Sequence, residues 1–444
     1  MALMKFTGSE LADICHQVLT QSKKIGASDA EASASCDAGL DMSVRLGAVE
    51  NVEHYQNQSL SLTVYVDKKT GSASTTDLSA KAIAMVVQKA VTIAQQTQND
   101  PCTGLADPEL LAKTIPDCDL DHPWEITLPE LISKAIECEA LAMAQDPRLS
   151  NSDGVSIDTG RRISAYANSL DFSGYYASSL HQASCTVVAK EQGQMQRDGD
   201  YTVARDAKDL LAFQHLAENA AQKTLRRLGA RKVNTCKVPV IFHHELARGL
   251  WRQLFSAISG SAIYRQASFL AGKLDQPILP NFITLSQKPH ILKGLGSAPF
   301  DDDGVATHDR DFVADGILRS YLMGTYSARK LGLKSTGNAG GLQNCFVTHS
   351  DQDLAALCKT MGTGFLATEL IGSGVNLVTG DYSRGAFGYW VENGVIQHAV
   401  EGITLAGNLS DMFLNLVAVA NDIDTRGSLQ TGSVLLHEMT LAGQ

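Results

Sequence analysis

The chain of 444 residues has nine cysteines but no Cys-x-x-Cys pair, and no cysteine after Cys358. Nothing after Cys358 can therefore offer a thiolate. The odd, irregular cysteine set reads as reduced thiols in a cytoplasm. No window reaches the ~18 uninterrupted apolar residues of a membrane span. Positive charge is also short: 37 Lys and Arg stand against 48 Asp and Glu, a net −11. A phosphate backbone calls for a dense basic surface, so nucleic acid is not an expected partner. The basic clusters present, Arg226-Arg227 with Arg231-Lys232 and Lys330 with Lys334, are short and read as solvated helix ends. Met1–Lys5 lacks the pattern of a secretory signal and runs into an amphipathic helical stretch. With 44% hydrophobic and 19% charged residues, what remains is an ordinary soluble composition. The length calls for two domains or more.

Periodicity gives the organisation. Leu11, Ile14, Cys15, Val18 and Leu19 predict a helix over 8–25. Alternation at 42–46 and 59–66 predicts half-buried strands, with Asp67–Gly71 turning into a further strand at 72–76. A second helix is expected at 79–97, capped by Ser79. The segment 98–126 is rich in Pro and Asp and reads as a long connector or sub-boundary. Thr127-Leu128-Pro129-Glu130 has capping-box spacing and opens a helix to about 145. Four strands are expected between 148 and 205, with turns at 158–160, 169–174 and 192–193. A helix from about 206 to 228 should follow, ending at Gly229. The second half reads as a buried strand at 238–242, a helix at 243–258, and then strands of about five residues with loops. The expected fold class is α+β: an N-terminal domain (1–231) with an antiparallel sheet and flanking helices, and a strand-rich C-terminal domain (232–444).

One motif carries hydrolytic chemistry and stops halfway. His243-His244-Glu245 follows a buried strand and opens a helix, as the His-Glu pair of metallopeptidases does. One turn after His244 stands Arg248, and then Gly249, so the second histidine is missing. A catalytic zinc needs three protein ligands and an open position. Two readings stay open: an altered metal site, with His243 and His244 as candidate ligands and Glu245 as candidate base, or helix capping by the same residues.

Three other stretches are candidate sites. Pro299–Val305 is a carboxylate-rich turn that either binds a divalent cation or is a tight acidic turn with Gly304 at its positive-φ position. The Gly-rich end of Ser327–Gly341 lacks P-loop spacing. It is either a plain connector or a loop, with Asn338, Gly340 and Gly341, that lets a peptide backbone approach. Gly380–Gly394 places Tyr382, Ser383 and Arg384 either in an exposed polar loop at a cleft or in an ordinary hairpin that turns at Glu392-Asn393-Gly394-Val395. The flanks of Ser383 are not those of a hydrolase nucleophile elbow.

Ser327–Gly341, Pro299–Val305, Met361–Gly364, Gly380–Gly394, Ala406–Leu409, Asn421-Asp422-Ile423 and Gly432–Leu436 together resemble the TldD/TldE family, on its TldE (PmbA) branch. The resemblance runs along nearly the whole chain. It implies a cytoplasmic peptidase assembled from two related subunits, acting on unstructured peptides that include microcin precursors and antitoxins. It further implies that zinc sits in a TldD-type partner bearing His-Glu-x-x-x-His and a late cysteine. A TldE-type chain itself has no cofactor and no catalytic set. Here Gly249 stands where the second histidine would be, and Thr425–Gly432 contains no cysteine. The expected partners are a TldD-type chain and unfolded peptides, with a homodimer when the chain is alone. The older family label, modulator of DNA gyrase, has no support in this acidic composition. The resemblance leaves Asn338, Gly340, Gly341, Tyr382, Ser383 and Arg384 as the expected substrate or partner groove.

Overall fold

The structure, a computed structural model, is described over residues 4–443. Six long strands form the first sheet: β1 (Asp29–Arg45), β2 (Ala48–Val66), β3 (Lys69–Thr75), β4 (Leu149–Asn168), β5 (Ser173–Glu191) and β6 (Gln194–Ala204). The order is β3-β2-β1-β4-β5-β6, antiparallel throughout. Four helices accompany it: α1 (Gly8–Lys24), α2 (Ala80–Gln96), α3 (Leu128–Met143) and α4 (Phe213–Arg226). Ala32, Ala34 and Cys36 of β1 share a core with α1 and α2, while Leu40, Met42 and Val44 share one with α3 and α4. These are all even positions of one strand, and strand side chains alternate between faces. All four helices therefore cover the same face, and the opposite face carries Glu31, Ser33, Ser35, Asp37 and Asp41.

Thr7 and Thr127 make the reciprocal capping boxes of α1 and α3, and Ser79 caps α2. Two expectations fail. Only three strands span 149–204, because the 158–160 turn does not exist; these residues lie inside β4. Gly160 pairs with Gly39 of β1, and Tyr55 of β2 lies across both, so a Cβ at either glycine would meet its hydroxyl. The glycine makes room for a ring and does not turn the chain. The last helix begins at Phe213, since Asp206 caps a short 3-10 turn first.

The C-terminal half holds two sheets. One has six strands: β7 (Cys236–Phe242), β12 (Gly364–Ile371), β13 (Asp381–Glu392), β14 (Val395–Asn408), β15 (Leu416–Val419) and β17 (Val434–Ala442). The order is β14-β13-β12-β7-β17-β15, and further pairing of β14 with β17 closes five of these strands into a ring. The other sheet is β10-β9-β8-β11-β16, from β8 (Leu285–Gln287), β9 (Arg310–Ala314), β10 (Ile317–Leu318), β11 (Cys345–Val347) and β16 (Leu429–Gln430). At 12 and 14 residues, β13 and β14 far exceed the five residues expected, because they pair with each other across the Asn393-Gly394 turn. Both turn residues have positive φ, the geometry of a two-residue hairpin loop. Helix α5 (His244–Ala257) sends Leu250, Trp251 and Leu254 into the largest core cluster. Short helices α6 (Gly260–Tyr264), α7 (Thr325–Lys330), α8 (Leu354–Met361) and α9 (Leu409–Leu414) complete the half. The class is mixed α+β, as expected. No helix among the described residues is long and apolar enough to cross a membrane.

Candidate metal centre and its charge network

Strand β7 is buried between β12 and β17 and delivers His243 at the N-cap of α5. Neither histidine side chain caps the helix. Instead the His244 backbone N–H donates to Ser433 Oγ (3.0 Å), so the capping reading fails for both. His244 Nδ1 donates to Asp422 Oδ2 (3.1 Å), and Asp422 also accepts from the Ser433 backbone N–H and hydroxyl at 2.7 Å. Burial opposes the Asp422 charge, but these bonds outweigh it and hold its pKa below the usual range. The His243 ring lies tilted against His244 at 3.9 Å between ring centroids, and its Nδ1 is buried without a hydrogen-bond partner. Burial, then the neighbouring His244, lowers its pKa to about 4, so it is neutral at pH 7. One nitrogen from each histidine and one Asp422 oxygen lie within 4.8 Å of one another.

Glu245, the candidate base, is not free. Lys223 Nζ and Arg426 Nη2 both donate to its Oε1 at 2.6 Å. Burial would raise its pKa, but the charge and bond of Lys223 and the bond of Arg426 lower it to about 2. The same two cations reach Asp200, at 2.9 and 2.8 Å. Arg426 also pairs with Asp424 (2.9 Å), while Arg248 reaches Asp424 (3.5 Å), the Tyr201 hydroxyl (2.6 Å) and the Arg426 carbonyl (2.7 Å). Asp200 and Asp424 are almost wholly buried. Three acids and three bases, drawn from β6, α4, α5 and the segment before β16, thus form one closed network across the two halves. Unpaired, any of these charges would be expensive to bury.

The positions that follow His244 on the helix add no ligand, and the neighbouring carboxylate is engaged. Gly249 has no side chain to offer, Arg248 brings positive charge, and the carboxylate that would activate water already serves two cations. His243, His244 and Asp422 remain as three clustered donors.

The other candidates are scattered. Asn338 is buried; its amide N–H groups donate to Gln287 Oε1 and Gln343 Oε1 at 2.8 Å and to the Gly341 carbonyl at 3.1 Å. Gly340, at φ +86°, lets the loop lie against the Asp302 carboxylate. The close approach made by this glycine loop is thus to its own chain. The 301–303 turn holds the other side: Asp301 accepts the backbone N–H groups of Asp303, Val305 and Ala339. Tyr382, Ser383 and Arg384 lie within β13, not in a loop. Tyr382 is buried against Phe242, and burial pushes its phenol up to about 12. Ser383 is exposed, and Arg384 donates weakly to the Leu370 carbonyl (3.4 Å). So the structure joins His243, His244 and Glu245 but puts the remaining candidates in two other places. Asp422, Ser433, Lys223, Asp200 and Arg426 were not picked out as site residues. The alternating Asp422, Asp424 and Arg426 beside an apolar strand was the one available signal.

Family descriptions match in sequence order: PmbA/TldA metallopeptidase domain 1 over residues 31–94, the central domain over 121–228, and the C-terminal domain over 235–443. The chain is 48% identical over 420 residues to metalloprotease PmbA of Escherichia coli O157:H7, covering 94% of this chain and 93% of that one. It is 42% identical to a PmbA homologue of Haemophilus influenzae, covering 100% and 98%. Among solved structures, a Bacteroides thetaiotaomicron protein described as a candidate modulator of DNA gyrase superposes with a TM-score of 0.92 at 26% identity, over 98% of this chain and 99% of that one. TldE from Thermococcus kodakarensis, at 18% identity, shares the fold with a TM-score of 0.83 over 97% and 100%. The half-written His-Glu motif therefore sits in a chain that belongs to the PmbA/TldE family of metallopeptidase-like proteins.

Proposed function

We propose that the chain is the TldE-type subunit of a cytoplasmic TldD/TldE zinc metallopeptidase acting on unfolded peptides, and holds no catalytic zinc of its own. One observation carries this reading: Glu245 is locked between Lys223 and Arg426. A carboxylate so engaged is a poor base, since its proton affinity is spent on two fixed cations. Zinc, when bound in the TldD-type partner, supplies carbonyl polarisation and an activated water. This chain contributes walls to the shared chamber, where an extended peptide is held by main-chain pairing and folded proteins are kept out.

The test mixes purified chain with a TldD-type subunit and scores zinc content and cleavage of a disordered peptide for each alone and together. Cleavage by the mixture, with no stoichiometric zinc in this chain, is expected. Cleavage by this chain alone would sink the reading. A second reading, an autonomous metal site, is favoured by the three clustered donors His243, His244 and Asp422. Zinc bound by the isolated chain and lost in Asp422→Asn would establish it. A non-enzymatic, gyrase-modulating role would require direct binding to gyrase at physiological salt.

A further inference from the structure

The sheet face left open by the helices forms the floor of a cleft of about 620 Å³, and the 300–302 turn forms part of its wall. Rows of small hydroxyls line this floor. Ser35 and Ser59 hydrogen-bond each other across β1 and β2 at 2.9 Å. Two guanidiniums face the same space. Arg162 of β4 is exposed and donates only to hydroxyls, Ser164 Oγ and Ser35 Oγ, each at 3.3 Å. Arg205 is half-buried, donates to the Ser179 and Leu295 carbonyls at 3.0 Å, and its Nε is buried without a partner. Neither forms an ion pair among the described residues. Elsewhere Arg161 pairs with Asp121, Arg227 with Glu369 and Arg426 with three acids, whereas the half-buried Arg310 and Arg384, like Arg205, form no ion pair among the described residues and keep a buried Nε without a partner. Arg205 is half-buried with no carboxylate paired to it, and a ligand that brings one would offset the cost of burying that charge; Arg162 is exposed and reachable beside it.

We propose that this cleft is a carboxylate-binding subsite, in which Arg162 holds an anionic group of a bound peptide and Arg205 adds a fixed positive field from the wall. The serine and threonine hydroxyls, which both donate and accept, suit the rest of a peptide's polar backbone. A guanidinium matches a carboxylate with two parallel N–H bonds. Glu31, Asp301 and Asp302 also line the cleft and oppose the ligand's charge, so the contact depends on the arginines' reach. The carboxylate comes either from the peptide's C-terminus or from an internal Asp or Glu side chain. The assignment rests on the peptide-handling role above, but its test needs neither the partner subunit nor cleavage.

Fluorescence anisotropy of the whole chain with a labelled disordered peptide provides that test. The peptide is made as free acid and as C-terminal amide, each with an internal Glu or Gln. A loss of about ten-fold or more is expected when the relevant carboxylate is removed, the size of one charge-assisted contact. Loss at the terminus or at the internal Glu supports the subsite and names the source. Equal binding of all four peptides overturns it. Arg162→Gln should abolish the discrimination. Asp302→Asn should tighten binding several-fold, an opposite sign that a misfolded variant cannot mimic. Discrimination that persists in Arg162→Gln overturns the assignment of that residue.

Discussion

Two regions of this molecule gather arginines, and they differ in what the arginine meets. In the network between the halves, Arg426 touches Asp200, Glu245 and Asp424, all from the same chain. In the cleft on the open sheet face, Arg162 meets only serine hydroxyls and Arg205 only carbonyls. A closed circuit of charge is architecture, and it stands where the sequence alone invites a catalytic reading. An open circuit asks for something from outside.

The comparison breaks most visibly at Arg426. Arg426→Met should cost about 3–5 kcal/mol, because it strands buried carboxylates; urea unfolding measures this, and a change within experimental error would remove the network's structural role. Acid should then act in two stages, first at His243 beside the network and then at Glu245 within it. His243 has a pKa of about 4 in the fold against an ordinary 6.5. The unfolded chain takes the proton first, so stability falls as pH drops from 6.5 towards 4. Glu245 is held at about 2 against 4.5. Its contribution is complete above 4.5 and is lost as pH falls towards 2. Each stage is on the order of 3 kcal/mol. His243→Asn should erase the upper stage and Glu245→Gln the lower, read from unfolding midpoints between pH 7 and 3.

On the cleft side, effects on stability are smaller. Gly160→Ala should displace the Tyr55 ring from the open face and cost about 1–2 kcal/mol by overpacking. Gly39→Ala, on the paired strand, should cost more, because its Cβ would also meet the Thr159 carbonyl at 2.6 Å. Arg162→Gln should change stability by no more than about 0.5 kcal/mol, as surface substitutions do. A large loss there would mean that the cleft arginine, too, is structural.

The sequence was legible wherever a signal was local. Capping residues Ser79 and Thr127 placed two helix starts within a residue, because a cap acts over three positions, and apolar spacing placed the first helix. The positive-φ pair Asn393-Gly394 gave the hairpin for the same reason. Gly160 misled because its partners, Gly39 and Tyr55, lie more than a hundred residues earlier. The site divides in the same way. His243–Glu245 was visible as a motif, but Lys223, Asp200 and Arg426 converge on it only through tertiary folding. Serine alternation at 59–63 marked a polar strand face; that two unpaired arginines overlook it is a property of four strands and a distant turn.

The network also makes the two halves one mechanical object. Its charges come from β6 and α4 on one side and from α5 and the 422–426 segment on the other, and Arg227 adds a bond to Glu369 with its guanidinium 3.7 Å above Phe387. The connector at 229–235 is largely exposed. A protease that nicks it should therefore leave two fragments that migrate as one particle, and either fragment made separately should stay insoluble until it meets its complement.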